Sequence, residues 1–138
     1  MTYGTCSTSI TSRHINVSEN KRKFCLVNEN EIEIIKVVVD GCLITGDSKR
    51  CDYLFDFPAL NLVYYVELKG RDIESAVKQL KATISFCKRI HAGKEKECHI
   101  VSSRVPMGPK VQVLKREFLK NTGCSLRIKT KVNTVKVG

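Results

Sequence analysis

The chain of 138 residues is 42% hydrophobic and 28% charged, which sets it among globular proteins and excludes disordered and fibrous architectures. Its 24 Lys and Arg against 14 Asp and Glu leave a net charge of +10, and no stretch approaches the ~20 apolar residues of a membrane span. One domain, 1–138, suits the length. The polar opening Met1-Thr2-Tyr3-Gly4 lacks the apolar core of a secretory leader, so a cytoplasmic, reducing location is expected.

Residues 1–23 are rich in Ser, Thr and Asn and end in Lys21-Arg22-Lys23, which reads as a poorly ordered lead-in. Glu31 to Thr45 is strand-like, dense in Ile and Val, with Asp40-Gly41 as a hairpin signal. A polar turn at 46–50 precedes a strand from Cys51 to Phe57, a turn at Pro58 to Asn61, and a third strand from Leu62 to Lys69. Asp72 suits an N-cap. From there Ile73, Ala76, Val77, Leu80, Ile84, Cys87 and His91 keep the 3-4 spacing of one buried helical face, and Gly93 ends it. Cys98 to Val105 reads as a strand and Pro106 to Pro109 as a loop. A second helix over about 110–121 turns Val111, Leu114 and Phe118 inward and stops at Gly123. Leu126, Ile128, Thr130 and Val132 then alternate with Arg127, Lys129 and Lys131, the period-2 pattern of a half-exposed strand. A meander followed by strand–helix–strand crossovers predicts an α/β fold, a central mixed β-sheet with helices on its faces.

The excess charge is confined to the last third. Residues 1–87 hold 11 Lys and Arg and 11 Asp and Glu, whereas residues 88–138 hold 13 against 3. Such asymmetry favours a polyanionic partner, most simply nucleic acid; the alternative is a solvated, solubilising face. Seven cysteines (6, 25, 42, 51, 87, 98 and 124) show no zinc-knuckle spacing. Their odd number and the absence of a leader argue against a disulfide framework, so they are expected to be small buried hydrophobes. Cys98-His99 reads as core, and Tyr3, Tyr53, Tyr64 and Tyr65 read as packing residues.

The chemistry is concentrated in Arg50-Cys51-Asp52-Tyr53-Leu54-Phe55 and Tyr64-Tyr65-Val66-Glu67-Leu68-Lys69-Gly70. Glu67 and Lys69 share one strand face, and antiparallel pairing can bring Asp52 within reach of Glu67. Two carboxylates close together are costly unless a positive charge stands between them, and they suit a hard cation such as Mg²⁺, with Mn²⁺ as the alternative. At these residues the sequence resembles the PD-(D/E)XK nuclease superfamily, with its restriction-endonuclease-like fold. The match is Asp52, then Glu67-Leu68-Lys69, then a helix bearing Gln79, within a core of about 30–105; Cys51 stands where the motif has proline. The resemblance is nearest in style to small stand-alone, resolvase-like members.

That resemblance implies a metal-dependent nuclease cutting phosphodiester bonds in DNA, endonucleolytic and homodimeric. It makes Asp52, Glu67 and the Leu68 backbone carbonyl metal ligands, Lys69 the group that positions the attacking water, and Gln79 an orienting residue. An additional N-terminal acid is expected among Glu29, Glu31 and Glu33, with Glu31 favoured. Residues 106–138 form a basic helix and strand. Arg71, Lys110, Lys115, Arg116, Lys120, Arg127, Lys129 and Lys131 are the candidate nucleic-acid contacts. The alternatives are a catalytically silent nucleic-acid-binding module of the same fold, or a basic domain that docks an acidic protein.

Overall fold

A computed structural model describes residues 2–70, 72–104 and 108–137, with Lys69 and Gly70 as backbone alone. Its centre is built from the apolar strands that the sequence marks. β4 (Ile34–Val38), β5 (Tyr53–Phe57) and β6 (Leu62–Gly70) form an antiparallel meander, turned between β5 and β6 by a short 3₁₀ segment and by Asn61 in the left-handed region (φ 50). β7 (Glu95–Ser102) and β8 (Ser125–Thr130) extend the sheet in parallel from β6, and β1 (Ser7–Ile10) closes its other edge against β4. The six strands run in the order β1-β4-β5-β6-β7-β8, a mixed sheet.

α1 (Ile73–Phe86) links β6 to β7, and α2 (Pro109–Thr122) links β7 to β8. The Asp72 side chain accepts the Glu74 N–H at 3.1 Å, the expected N-cap. Gly123 ends α2 at φ 73, a backbone conformation that costs glycine little. Two right-handed crossovers stepping the same way across a sheet put both helices on one face. Accordingly Ala76, Val77 and Leu80 of α1 and Phe118 of α2 join a single core with Val37, Leu54, Val63, Tyr65 and Ile100.

The other face is covered by strands rather than by a helix, which corrects the expectation of helices on both faces. β2 (His14–Glu19), β3 (Arg22–Val27) and β9 (Val132–Lys136) make a second sheet in the order β2-β3-β9. Ile15, Val17, Phe24 and Leu26 press onto Phe55, Phe57, Val66 and Leu68 to form a second core. Residues 1–23 are therefore not a loose lead-in: most of 7–19 is strand, and the β2–β3 hairpin begins one layer of the protein. The basic strand also departs from expectation. At Lys131 (φ 62) the chain turns out of β8 and enters β9 in the other sheet. The apolar residues after Gly41 are not a strand either, but a turn in which the Gly41 N–H reaches the Ile44 carbonyl at 3.0 Å.

Cys6 and Cys42 form a disulfide, against the expectation of reduced thiols throughout. The other five cysteines are free, and all but Cys25 are buried, as small hydrophobes are. Among the described residues, no helix is long and apolar enough to cross a membrane.

Candidate metal and phosphate site

The site forms at the end of the sheet where β5 begins and the parallel strands β6, β7 and β8 finish. Crevices outside the carboxyl ends of parallel strands are where open α/β sheets bind ligands. Tyr53 pairs with Val66, so Asp52 and Glu67 occupy adjoining rungs of two neighbouring strands. The Asp52 N–H donates to the Val66 carbonyl at 3.2 Å, and the Leu68 N–H donates to Asp52 Oδ2 at 2.8 Å. This carboxylate is thus held in place by the backbone of the strand that carries Glu67. Asp52 is 4% exposed and Glu67 1%. Both carboxylates are felt by the neighbouring Cys51 thiol: burial pushes it up, Thr83 opposes this, and Glu67 and Asp52 push it further up.

α1 is tied to this corner by a residue that the sequence reading passed over. Thr83 is fully buried; its Oγ1 accepts the Cys51 N–H at 2.8 Å and donates to the Gln79 carbonyl at 3.0 Å. The same hydroxyl therefore locates the residue before Asp52 and the helical turn carrying Gln79. Half-buried Gln79 and Asp52 both line an open hollow of about 320 Å³, together with the loop 46–50. Arg50 staples that loop: its Nε meets Asp40 Oδ1 at 3.0 Å, and its Nη1 donates to the Gly46 and Ser48 carbonyls at 2.5 and 2.7 Å.

Asp40 also lines the hollow, and its N–H donates to the Asp52 carbonyl at 3.3 Å. Its carboxylate is paired with Arg50. Glu31 does not reach the site, because β4 runs antiparallel to β5 and its entry lies beside Asp56, far from Asp52. Glu31 is exposed at φ 49 and stands 3.7 Å from Arg13; Glu29 pairs with Lys136, and Glu33 accepts from Ser9. The signal for Asp40 was its place at the exit of the strand that pairs with the Asp52 strand.

The remaining expected residues divide. Lys69 follows Glu67 by two positions in β6, where the pairing with β7 shifts register; its side chain and all of Arg71 lie outside the described residues. The Leu68 carbonyl accepts from Arg22 Nη1 at 2.9 Å, which uses one of its two lone pairs. Lys110, Arg116 and Lys120 are exposed on α2 and Lys115 is half-buried, strung along a helix about 20 Å long. Arg127 Nε lies 2.8 Å from Glu97, which partly neutralises it. Lys129 and Lys131 are exposed at the site's end of β8.

Comparison with protein-family models, with curated proteins and with solved structures finds no match.

The residues present suit a hard cation. Among the described residues no group of three His, Cys, Asp or Glu side chains could hold an ion alone. The protein's share would be the two adjoining carboxylates, with backbone, water and phosphate oxygens completing the shell, an ordinary way of binding Mg²⁺.

Proposed function

We propose that this protein is a metal-dependent nuclease that hydrolyses phosphodiester bonds in DNA, with Asp52 and Glu67 as the metal-binding acids. One observation carries the reading. Two carboxylates almost fully removed from water stand on adjoining rungs of β5 and β6, and one of them shares a hollow with Gln79. Adjoining buried carboxylates beside a crevice are a recurrent feature of functional sites.

Bound there, Mg²⁺ would acidify a water and offset charge developing on the phosphate. The chain's own residues do the rest. The Leu68 N–H holds the Asp52 carboxylate and the Thr83 hydroxyl holds the backbone of the preceding Cys51, so little reorganisation is needed when substrate arrives. Gln79, at the wall, can donate to a phosphate oxygen or a water. Lys69, two positions beyond Glu67, is assigned to the attacking water. A nuclease of this size cutting both strands of a duplex would act as a homodimer.

A second reading has its own support. The Arg22 guanidinium on the Leu68 carbonyl sets a fixed positive charge where a third metal ligand was expected, and a chain so arranged could bind DNA without cutting it. The assay that separates the two uses plasmid, linear, single-stranded and four-way-junction DNA, and RNA, with Mg²⁺, Mn²⁺ or EDTA. Metal-dependent cutting that Glu67→Ala abolishes, with binding intact, is the expected result. Cutting by Glu67→Ala at the parent rate refutes the site, and salt-sensitive binding without cutting supports the silent module.

A further inference from the structure

The small sheet ends at the same end of the molecule as the carboxylates, and two lysines there hold a backbone conformation that lysine avoids. Asn20 and Lys21 form the two-residue tip of the β2–β3 hairpin at φ 48 and 66, and Lys131 turns the chain between β8 and β9 at φ 62. Two-residue hairpins need left-handed backbone at their tips, and Asn-Gly is the usual solution. In the left-handed region Cβ crowds the following carbonyl, so a lysine is a costly choice where glycine fits. Strain retained at an exposed position, with no packing to gain, points to a use for the side chain.

The backbone brings the two turns together. The Lys131 N–H donates to the Ser102 carbonyl at 2.9 Å, and the Lys131 carbonyl accepts the Lys23 N–H at 2.8 Å. Between them, Arg22 reaches inward, donating to Ser103 Oγ at 2.6 and 3.1 Å and to the Leu68 carbonyl at 2.9 Å. Lys21 is therefore one residue away from a side chain that grips the strand between Glu67 and Lys69. Lys21, Lys23, Arg104, Lys129 and Lys131 are all exposed around this end; Glu19, which closes the hairpin opposite Arg22, is the acid among them. Exposed cations on two neighbouring turns match the spaced anions of a nucleic-acid strand better than they match one small anion.

We propose that Lys21 and Lys131, flanked by Lys23 and Lys129, form a ridge that contacts the phosphates of duplex DNA and seats it across the carboxylate site. The inference rests on the nuclease reading for what lies beside the ridge, but the contact itself requires no chemistry. The decisive variant is the double substitution Lys21→Gly and Lys131→Gly in the full chain, because glycine suits both backbone angles and removes only the side chains. Binding to a short duplex is followed by fluorescence anisotropy in EDTA between about 50 and 200 mM salt. The melting temperature is recorded alongside, with Lys88→Gln as the control beyond the far end of α1.

The expected result is a loss of affinity on the order of tenfold, a salt slope shallower by about 2, as for two lost phosphate contacts, and a melting temperature equal to or above the parent's. The control keeps the parent slope. An unchanged slope and affinity with a raised melting temperature would show that the two lysines are merely strained and would overturn the ridge. So would a parent chain that ignores duplex DNA, or one that binds anionic phosphatidylserine vesicles in its place. Glu67→Ala tests the other reading separately: if it cuts like the parent, the nuclease site falls, while the binding deficit of the glycine variant still stands.

Discussion

Lowering the pH should destabilise this protein in part through a buried residue, His91. Its ring is fully buried on the helix-bearing face. Nε2 lies 2.7 Å from the Tyr3 hydroxyl and Nδ1 2.5 Å from the Tyr65 hydroxyl. The Tyr3 hydroxyl donates its single proton to Asp56 Oδ2 at 2.7 Å, so toward His91 it can only accept. That assigns the ring proton to Nε2 and leaves Nδ1 accepting from Tyr65. Protonating Nδ1 would set it against the donor it now uses. Burial is the main force holding the group down, from 6.5 to about 4; Asp56 opposes the effect, and Lys94 and Lys96 reinforce it. The unfolded chain binds the proton more readily, so the stabilisation is complete above about pH 6.5 and is lost as the pH falls toward 4. The full displacement corresponds to about 3 kcal/mol, and the interval from pH 7 to pH 5 to about 2 kcal/mol. Urea unfolding of the parent and of His91→Gln at both pH values isolates it, because His99, also depressed by burial, is common to both. The parent's advantage should shrink by about 2 kcal/mol. An advantage constant to within about 0.5 kcal/mol would refute a buried neutral imidazole, since additive effects reproduce to about that level.

Two further outcomes follow from the packing. Thr83→Val keeps the shape of the side chain but leaves the Cys51 N–H buried without its acceptor, and should cost about 1–3 kcal/mol in thermal unfolding. If the proposed nuclease activity holds, cleavage should fall further than that loss of stability explains, because Asp52 is the next residue. Cys6 and Cys42 lie 36 positions apart, so replacing both with serine should cost up to about 4 kcal/mol on the chain-entropy account. Urea midpoints with and without reductant measure this; a parent indifferent to reductant would contradict the bond's role.

Local pattern and long-range pairing were legible to different degrees. α1 and α2 could be read because their signals are local: Asp72 and Gly123 mark two ends, and Ile73, Ala76, Val77 and Leu80 repeat on one face. β5 and β6 were legible for the same reason, and with them the neighbourhood of Asp52 and Glu67. The small sheet was not. β2 alternates Ile15 and Val17 with polar residues, but those two bury in a core shared with Phe55 and Val66, whose place depends on the other sheet. A lysine at φ 62 gives no sequence cue, so β8 and β9 read as one strand. Cysteine spacing does not reveal pairing, which hid the bond from Cys6 to Cys42. Asp40 looked like an ordinary turn residue until β4 was placed antiparallel to β5. His91 fitted the expected helical face running to Gly93, but α1 ends at Phe86 and His91 lies in the turn beyond it, where Tyr3 and Tyr65 make it a hydrogen-bonded residue.

The parallel pairing of β3 with β9 also governs the order of assembly. Lys23 pairs with Val132, 109 positions later. During synthesis at about 5–20 residues per second, β3 waits many seconds for that neighbour, holding an open strand edge next to Phe24 and Leu26. Loop closure over such a distance is costly and slow relative to the local hairpin with β2. The last step of folding is therefore the arrival of β9, and with it the Lys131 turn. The end of the molecule that carries Asp52 and Glu67 becomes complete only after the rest of the sheet already exists.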